Sequence, residues 1–246
     1  MKETIIVTGI LLLSVISGML GLGVAFSAIP FLSFFHHDLV DQVQPLALIL
    51  NGITAIFSAF GFAKSGYIKW KEAIILSVFT TISAPLGAVL VYHVKQIYVW
   101  IIYLAAVIYL SYRLFKPAKA NEKQRENFKN VLILAVPISI LSGFLGVGPG
   151  FLLMPTLIIN GFDAKFAAGI NAFAVTFPSF SALVPHLGTA DIDMKMLLIL
   201  IVVGAFGAFF GARMTSKFVK SENLKRIFGV LIVVMTIYKI WMMVNK

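Results

Sequence analysis

The sequence predicts an all-α polytopic membrane protein made of two four-segment repeats, inverted relative to each other, each opening with a broken or re-entrant helix. Three observations predict it. First, 60% of the 246 residues are apolar and 12% are charged, with a mean hydropathy of +0.98; soluble domains carry roughly 25% charge. Second, apolar runs long enough for a bilayer fill most of the chain, without the short alternating segments of a β-barrel. Third, SGMLGLGVAFSAIP (17–30) returns as SGFLGVGPGFLLMP (142–155), with seven of fourteen residues identical at an offset of 125.

The apolar segments fall near 5–35, 43–63, 72–93 and 97–115 in the first half, and near 131–160, 166–187, 196–212 and 226–244 in the second. The polar stretch KPAKANEKQRENFKN, 116–130, separates them and reads as a linker. This gives a first repeat at 1–117, a cytoplasmic linker at 118–130 and a second repeat at 131–246. Other landmarks pair at similar offsets: Asn51 with Asn171, Gly87-Ala88 with Gly211-Ala212, and Val94-Lys95 with Val219-Lys220. The opening segment, with its Lys2 and apolar run, also has the look of a signal peptide. Its counterpart at 131–143 is internal, so the segment is expected to be retained.

Orientation follows from lysine and arginine. Fourteen of the 20 cations lie in three places: 113–129, 64–71 and 213–226. The positive-inside rule wants all three in the cytoplasm. Loop 64–71 follows the second segment of its half, but loop 213–226 follows the third. They share a side only if the second half is inverted, and the acidic stretch 188–193 then lies outside. Inversion needs an odd number of crossings per half, so one segment in each must enter and leave on one side. The first segments fit, because about 30 residues make ~45 Å of helix, long for a ~30 Å hydrocarbon core. Split at the glycines, each becomes half-helices of roughly 15 and 10 residues. Eight full spans with parallel halves is the alternative.

The glycines carry the chemistry. Gly21, Gly23, Gly146, Gly148 and Gly150 permit positive φ and a sharp turn. Pro149 suits the first position of the returning half-helix. The half-helices starting near Val24 and Pro149 would aim N–H groups and partial positive charge at the centre. Two such ends make an anion site without a buried cation. The plainer reading is close helix packing through small residues. Of the polar residues placed at depth, Asn51 and Asn171 are repeat mates and divide evenly between substrate contact and helix glue. Ser27 and Thr176 join the candidate substrate contacts, against back-bonding to their own helices. The candidate substrate-binding set is therefore Gly21, Gly23, Ser27, Asn51, Gly146, Gly148, Gly150, Asn171 and Thr176.

All ten carboxylates lie in loops or near segment ends, which speaks against a midplane carboxylate relay. His36-His37-Asp38 reads as polar loop rather than metal site, and His93 and His186 lie at segment ends. No HExxH, Ser/His/Asp set or Walker motif occurs. Neither an enzyme nor an ATP-driven pump is expected, and no cofactor or metal. The net charge of +10 belongs to topology and not to nucleic acid.

The two glycine-rich stretches ending in proline, each opening a half of four hydrophobic segments, resemble the sulfite exporter TauE/SafE family of membrane permeases over nearly the full length. Val24 and Ala25 stand where such proteins commonly carry glycine. The resemblance implies a multi-pass protein of the cytoplasmic membrane moving sulfite, sulfoacetate or another sulfonate. The expected function is thus a secondary transporter of a small sulfur-containing oxyanion, working by alternating access as one half rocks against the other. A passive anion channel or a carrier of a non-sulfur organic anion is the alternative. The expected partners are the small anion and the lipid bilayer, with room for a homo-oligomer.

Overall fold

The structure, a computed structural model, describes residues 2–36, 38–90 and 126–220, together with isolated positions at 105, 108, 223–224, 230 and 234. The described residues form helices and no strand. In chain order these are α1 (Lys2–Leu20), α2 (Ala25–Leu32), α3 (Gln44–Ala63), α4 (Trp70–Leu90), α5 (Phe128–Leu145), α6 (Gly150–Ile159), α7 (Ala164–Leu183) and α8 (Met194–Phe218). A short π turn, Leu39–Val43, leads into α3. Six of the helices are long and apolar enough to cross a membrane. Apart from those isolated positions, the predicted segments 97–115 and 226–244 lie outside the described residues, as do most of the linker, His37 and His93.

Local chemistry places the boundaries. Asn127, Asp163 and Asp193 each accept a backbone N–H from the turn they open, at the starts of α5, α7 and α8, as N-cap side chains do. α1 and α5 end in the same way. Gly21 N–H donates to Gly18 C=O and Leu22 N–H to Ser17 C=O; Gly146 and Val147 repeat both bonds to Gly143 and Ser142. That is the Schellman pattern, which needs a left-handed residue at the turn; Gly21 and Gly146 supply it, with φ of 65° and 67°. A second positive φ follows at Gly23 and Gly148. Both helices therefore break where the repeated motif predicts. The pieces have 19 and 8 residues, then 18 and 10, so the first piece of each is longer than the predicted 15.

Among the described residues, the helix pairs in most extensive contact are α1 with α8, α4 with α7, α4 with α5, α3 with α8 and α3 with α7. Each joins an element of residues 2–90 to one of residues 126–220. Matched glycines make two of these crossings. A Cβ on Gly18 would lie 2.3 Å from Ala208 O, and one on Gly211 2.1 Å from Val15 O. At the α4–α5 crossing, a Cβ on Gly87 would meet Ile140 O and one on Gly143 would meet Ala84 O. Without Cβ atoms the backbones touch, which is how membrane helices gain van der Waals contact when lipid is as apolar as their side chains. Among the described residues the consequence is an interlaced packing, in which helices of 2–90 lie chiefly against helices of 126–220.

Polar bonds between helices add to this. Ser58 Oγ donates to Gly18 O, Ser139 Oγ to Thr80 O and Thr80 Oγ1 to Ala174 O. At one end of the bundle Arg213 Nη1 donates to Ser65 Oγ at 2.8 Å, and Lys165 Nζ to Ser216 O at 3.1 Å. Lys69 pairs with Glu126 at the same end. At the other end Gln42 Nε2 donates to Asp191 Oδ2 at 2.9 Å.

Candidate functional site

The two breaks meet inside the bundle, flanked by α3 and α7. A Cβ on Gly150 would lie 2.5 Å from Leu22 O, so the second break presses on the backbone of the first. Beyond them the rings of Phe26 and Phe151 stack, with centroids 3.4 Å apart and planes 7° from parallel. These phenylalanines occupy the first turns of α2 and α6 and are themselves 125 residues apart.

Asn51 and Asn171, both fully buried, hold the breaks in place by unlike bonds. Asn51 Oδ1 accepts the N–H of Ala25 at 2.8 Å, capping the first turn of α2, and its Nδ2 donates to Ser179 Oγ at 2.8 Å. Thr54 Oγ1 accepts the preceding donor, Val24 N–H, at 3.1 Å. Asn171 Nδ2 instead donates to two carbonyls, Gly21 O at 2.7 Å and Gly150 O at 3.2 Å, one from each break. Its Oδ1 has no hydrogen-bond partner among the described residues. Because both carbonyls can only accept, the nitrogen's position is fixed and so is that of the oxygen.

Three sequence expectations need correction. The N–H groups of Val24 and Ala25 do not stand open for a ligand; the side-chain oxygens of Thr54 and Asn51 hold them. Gly150 does not take positive φ, because it is the first residue of a helix; its lack of a Cβ serves the close approach to Leu22. Pro149 is the N-cap rather than the first helical position. Elsewhere the structure brings together Gly21, Gly23, Gly146, Gly148 and Gly150 with both asparagines. A Cβ on Gly23 would lie 2.3 Å from Asn51 Oδ1, and one on Gly148 2.4 Å from Asn51 Nδ2. Gly146 packs on the buried Gln44, whose Nε2 donates to Leu145 O.

Ser27 and Thr176 bond close to home. Ser27 Oγ donates to Val24 O and Thr176 Oγ1 to Ala172 O, each within its own helix. The sequence reading missed Ser179 and the Phe26–Phe151 pair, and did not rank Thr54 with the site. Each left a signal: both phenylalanines keep the repeat's offset, and so do Thr54 and Ser179.

The described residues that bond or pack at the junction include no ionisable side chain. The junction brings together two helix N-termini, that of α2 capped by Asn51 and Thr54, with two amides, two hydroxyls and a pair of rings.

Comparison with known proteins fits this architecture. The family profile described as sulfite exporter TauE/SafE matches residues 5–239. A probable membrane transporter protein of Xylella fastidiosa is 28% identical over 244 residues, covering 91% of this chain and 89% of its own. A probable membrane transporter protein of Bacillus subtilis is 22% identical over 221 residues, covering 86% and 90%. No solved structure matches the chain.

Proposed function

This chain belongs to the sulfite exporter TauE/SafE family of membrane transporters, and from that premise we propose that it carries a small sulfur-containing oxyanion, sulfite or an organosulfonate, by alternating access. The observation that carries the reading is the meeting of two helix N-termini, at Ala25 and Gly150, in a buried junction without a carboxylate. Such ends favour an anion through their donors and their partial positive charge. In this conformation the oxygens of Asn51 and Thr54 sit where the oxygens of an anion would. Substrate then enters by exchange: Asn51 and Thr54 release Val24 and Ala25, and the amide of Asn51 turns its Nδ2 to the anion. The exchange replaces protein bonds by ligand bonds one for one, so net affinity is modest, on the order of micromolar to millimolar.

The inverted, re-entrant topology belongs to the same proposal. Lys2 Nζ donates to Phe35 O at 3.0 Å, so the start of α1 and the chain just beyond α2 lie together. Asn127 N–H donates to Asn160 O at 2.9 Å, closing α5 and α6 in the same way. Both broken segments thus return towards their origin. The closure at Asn127 lies beside the Lys69–Glu126 pair, at the end where Ser65 meets Arg213. Phe35 leads instead through the π turn to the end where Gln42 meets Asp191. The two hairpins open on opposite faces, and the cationic ends of α3 and α8 share one face, as the positive-inside rule requires. Broken helices at matched places in inverted halves characterise secondary transporters. Because the repeats are interlaced, the moving bodies combine helices from both, α1 travelling with α8 and α5 with α4.

The test is counterflow in proteoliposomes. Purified protein should show saturable uptake of labelled sulfite or sulfoacetate, accelerated by unlabelled substrate inside the vesicle. Uptake without that acceleration would make the protein a channel; uptake of carboxylates alone would remove the sulfur oxyanion.

A further inference from the structure

A second feature lies away from the junction, on the outward face where α3 and α8 run side by side. It is a groove of about 560 Å³ lined by Phe57, Phe60 and Lys64 of α3 and by Val202, Phe206 and Phe209 of α8. The lining is almost wholly apolar, with Lys64 as its one charged member. Lys64 is exposed at one end, its Nζ 5.4 Å from the centroid of the Phe209 ring. Arg213 stands one turn beyond Phe209 and is tied to Ser65, the neighbour of Lys64, by a 2.8 Å hydrogen bond. Among the described residues neither cation pairs with a carboxylate. From Lys64 to Phe57 the groove runs seven residues of helix, about 10 Å, which is most of one hydrocarbon leaflet of ~15 Å.

We propose that this groove is a binding site for an anionic phospholipid. The phosphate sits between Lys64 and Arg213, and an acyl chain lies along Phe57, Phe60 and Phe206. The charge arrangement selects this occupant. Lys64 lies at one end of an apolar channel that points into the bilayer and Arg213 stands beside it through Ser65, neither with a carboxylate partner among the described residues, on the face that carries the chain's positive loops. Basic pockets between transmembrane helices on the cytoplasmic side suit lipid headgroups in this way. Arg213 offers a planar fork for phosphate oxygens and Lys64 a mobile point charge. A zwitterionic headgroup would bring its own cation against both. The neighbouring helix ends also make the site consequential, because α3 carries Asn51 and α8 is the partner of α1.

The experiment is native mass spectrometry of the full chain, released from neutral detergent with phosphatidylglycerol or phosphatidylcholine at equal concentration, and with glycerol 3-phosphate as the headgroup without tails. Phosphatidylglycerol should be retained about tenfold more than phosphatidylcholine, and glycerol 3-phosphate not at all. Lys64→Gln and Arg213→Gln should each cut the preference several-fold, and together abolish it. Lys64→Gln serves where Arg213→Gln disturbs the Ser65 contact, since Lys64 is exposed. Val202→Trp should reduce retention with both charges in place, because it fills the groove from its rim. Equal binding of the two lipids, or an unchanged preference in both charge variants, would overturn the proposal. So would a dimer that Val202→Trp dissociates, or a loss of stability in lipid-free detergent on that substitution. Those results would assign the groove to a second copy or to residues 226–244.

Discussion

Gly23 and Gly66 have nearly the same backbone conformation, with φ of 69° and 73°, but opposite surroundings. A Cβ on Gly66 meets nothing within 4 Å, whereas one on Gly23 would lie 2.3 Å from Asn51 Oδ1. Alanine at either site costs about 1–2 kcal/mol for the left-handed backbone. Roughly 0.4–1 kcal/mol is returned through a stiffer unfolded chain. Those terms are common to both sites. At Gly23 the methyl must also displace the Asn51 amide, and the buried N–H of Ala25 then loses its acceptor. An orphaned buried donor costs about 1–3 kcal/mol, so Gly23→Ala should exceed Gly66→Ala by that amount. The assay is SDS-induced unfolding of the purified protein followed by tryptophan fluorescence, with counterflow measured on the same preparations. Gly66→Ala should keep transport and Gly23→Ala should lose it. Equal destabilisation at the two sites would refute the argument, because it would mean that Asn51 does not pack on the break.

Gly150→Ala should be as damaging as Gly23→Ala, although α6 accepts alanine readily, since the new Cβ would strike Leu22 O; a functional, normally stable variant would remove the contact between the breaks. Asn171→Leu removes both bonds that join Gly21 O to Gly150 O and should lower transport well beyond its effect on unfolding, and parallel losses would make it helix glue. The chain has no cysteine, so single cysteines report topology cleanly: in intact cells an impermeant reagent should label position 190 and spare positions 65 and 160. Sulfite transport should rise as pH falls towards the monoanion, which is easier to dehydrate than the dianion, while a sulfonate of constant charge should not follow it; identical profiles would point to a titrating protein group.

The breaks were legible because they depend on residue types that few other conformations want. A glycine pair in Schellman register leaves a trace in the sequence whether or not anything binds nearby. The caps at Asn127, Asp163 and Asp193 are legible for the same reason, since each acts within its own turn. What could not be read was the partner of each polar group. Asn51 and Asn171 are alike in sequence, and only the packing of α3 and α7 on the breaks decides that one accepts and the other donates. The occupation of Val24 and Ala25 by Thr54 and Asn51 is likewise a contact between segments about 30 residues apart. The packing of helices from one half of the chain on those of the other was hidden too, because Gly18 and Gly211 show that a close crossing exists but not with which helix.

Val24 and Pro149 stand at corresponding places, as the N-caps of α2 and α6. Val24 gives its N–H to Thr54; Pro149 has none to give to Ser179, which holds the corresponding place on α7. The two entrances are therefore unlike at their caps: α2 is tied to α3 through a backbone N–H that α6 lacks at the same point, a neutral hydrogen bond of about 0.5–1.5 kcal/mol. Under the proposed alternating access, such a carrier could not present identical entrances to the two sides of the membrane, and a single imino acid is enough to tell them apart.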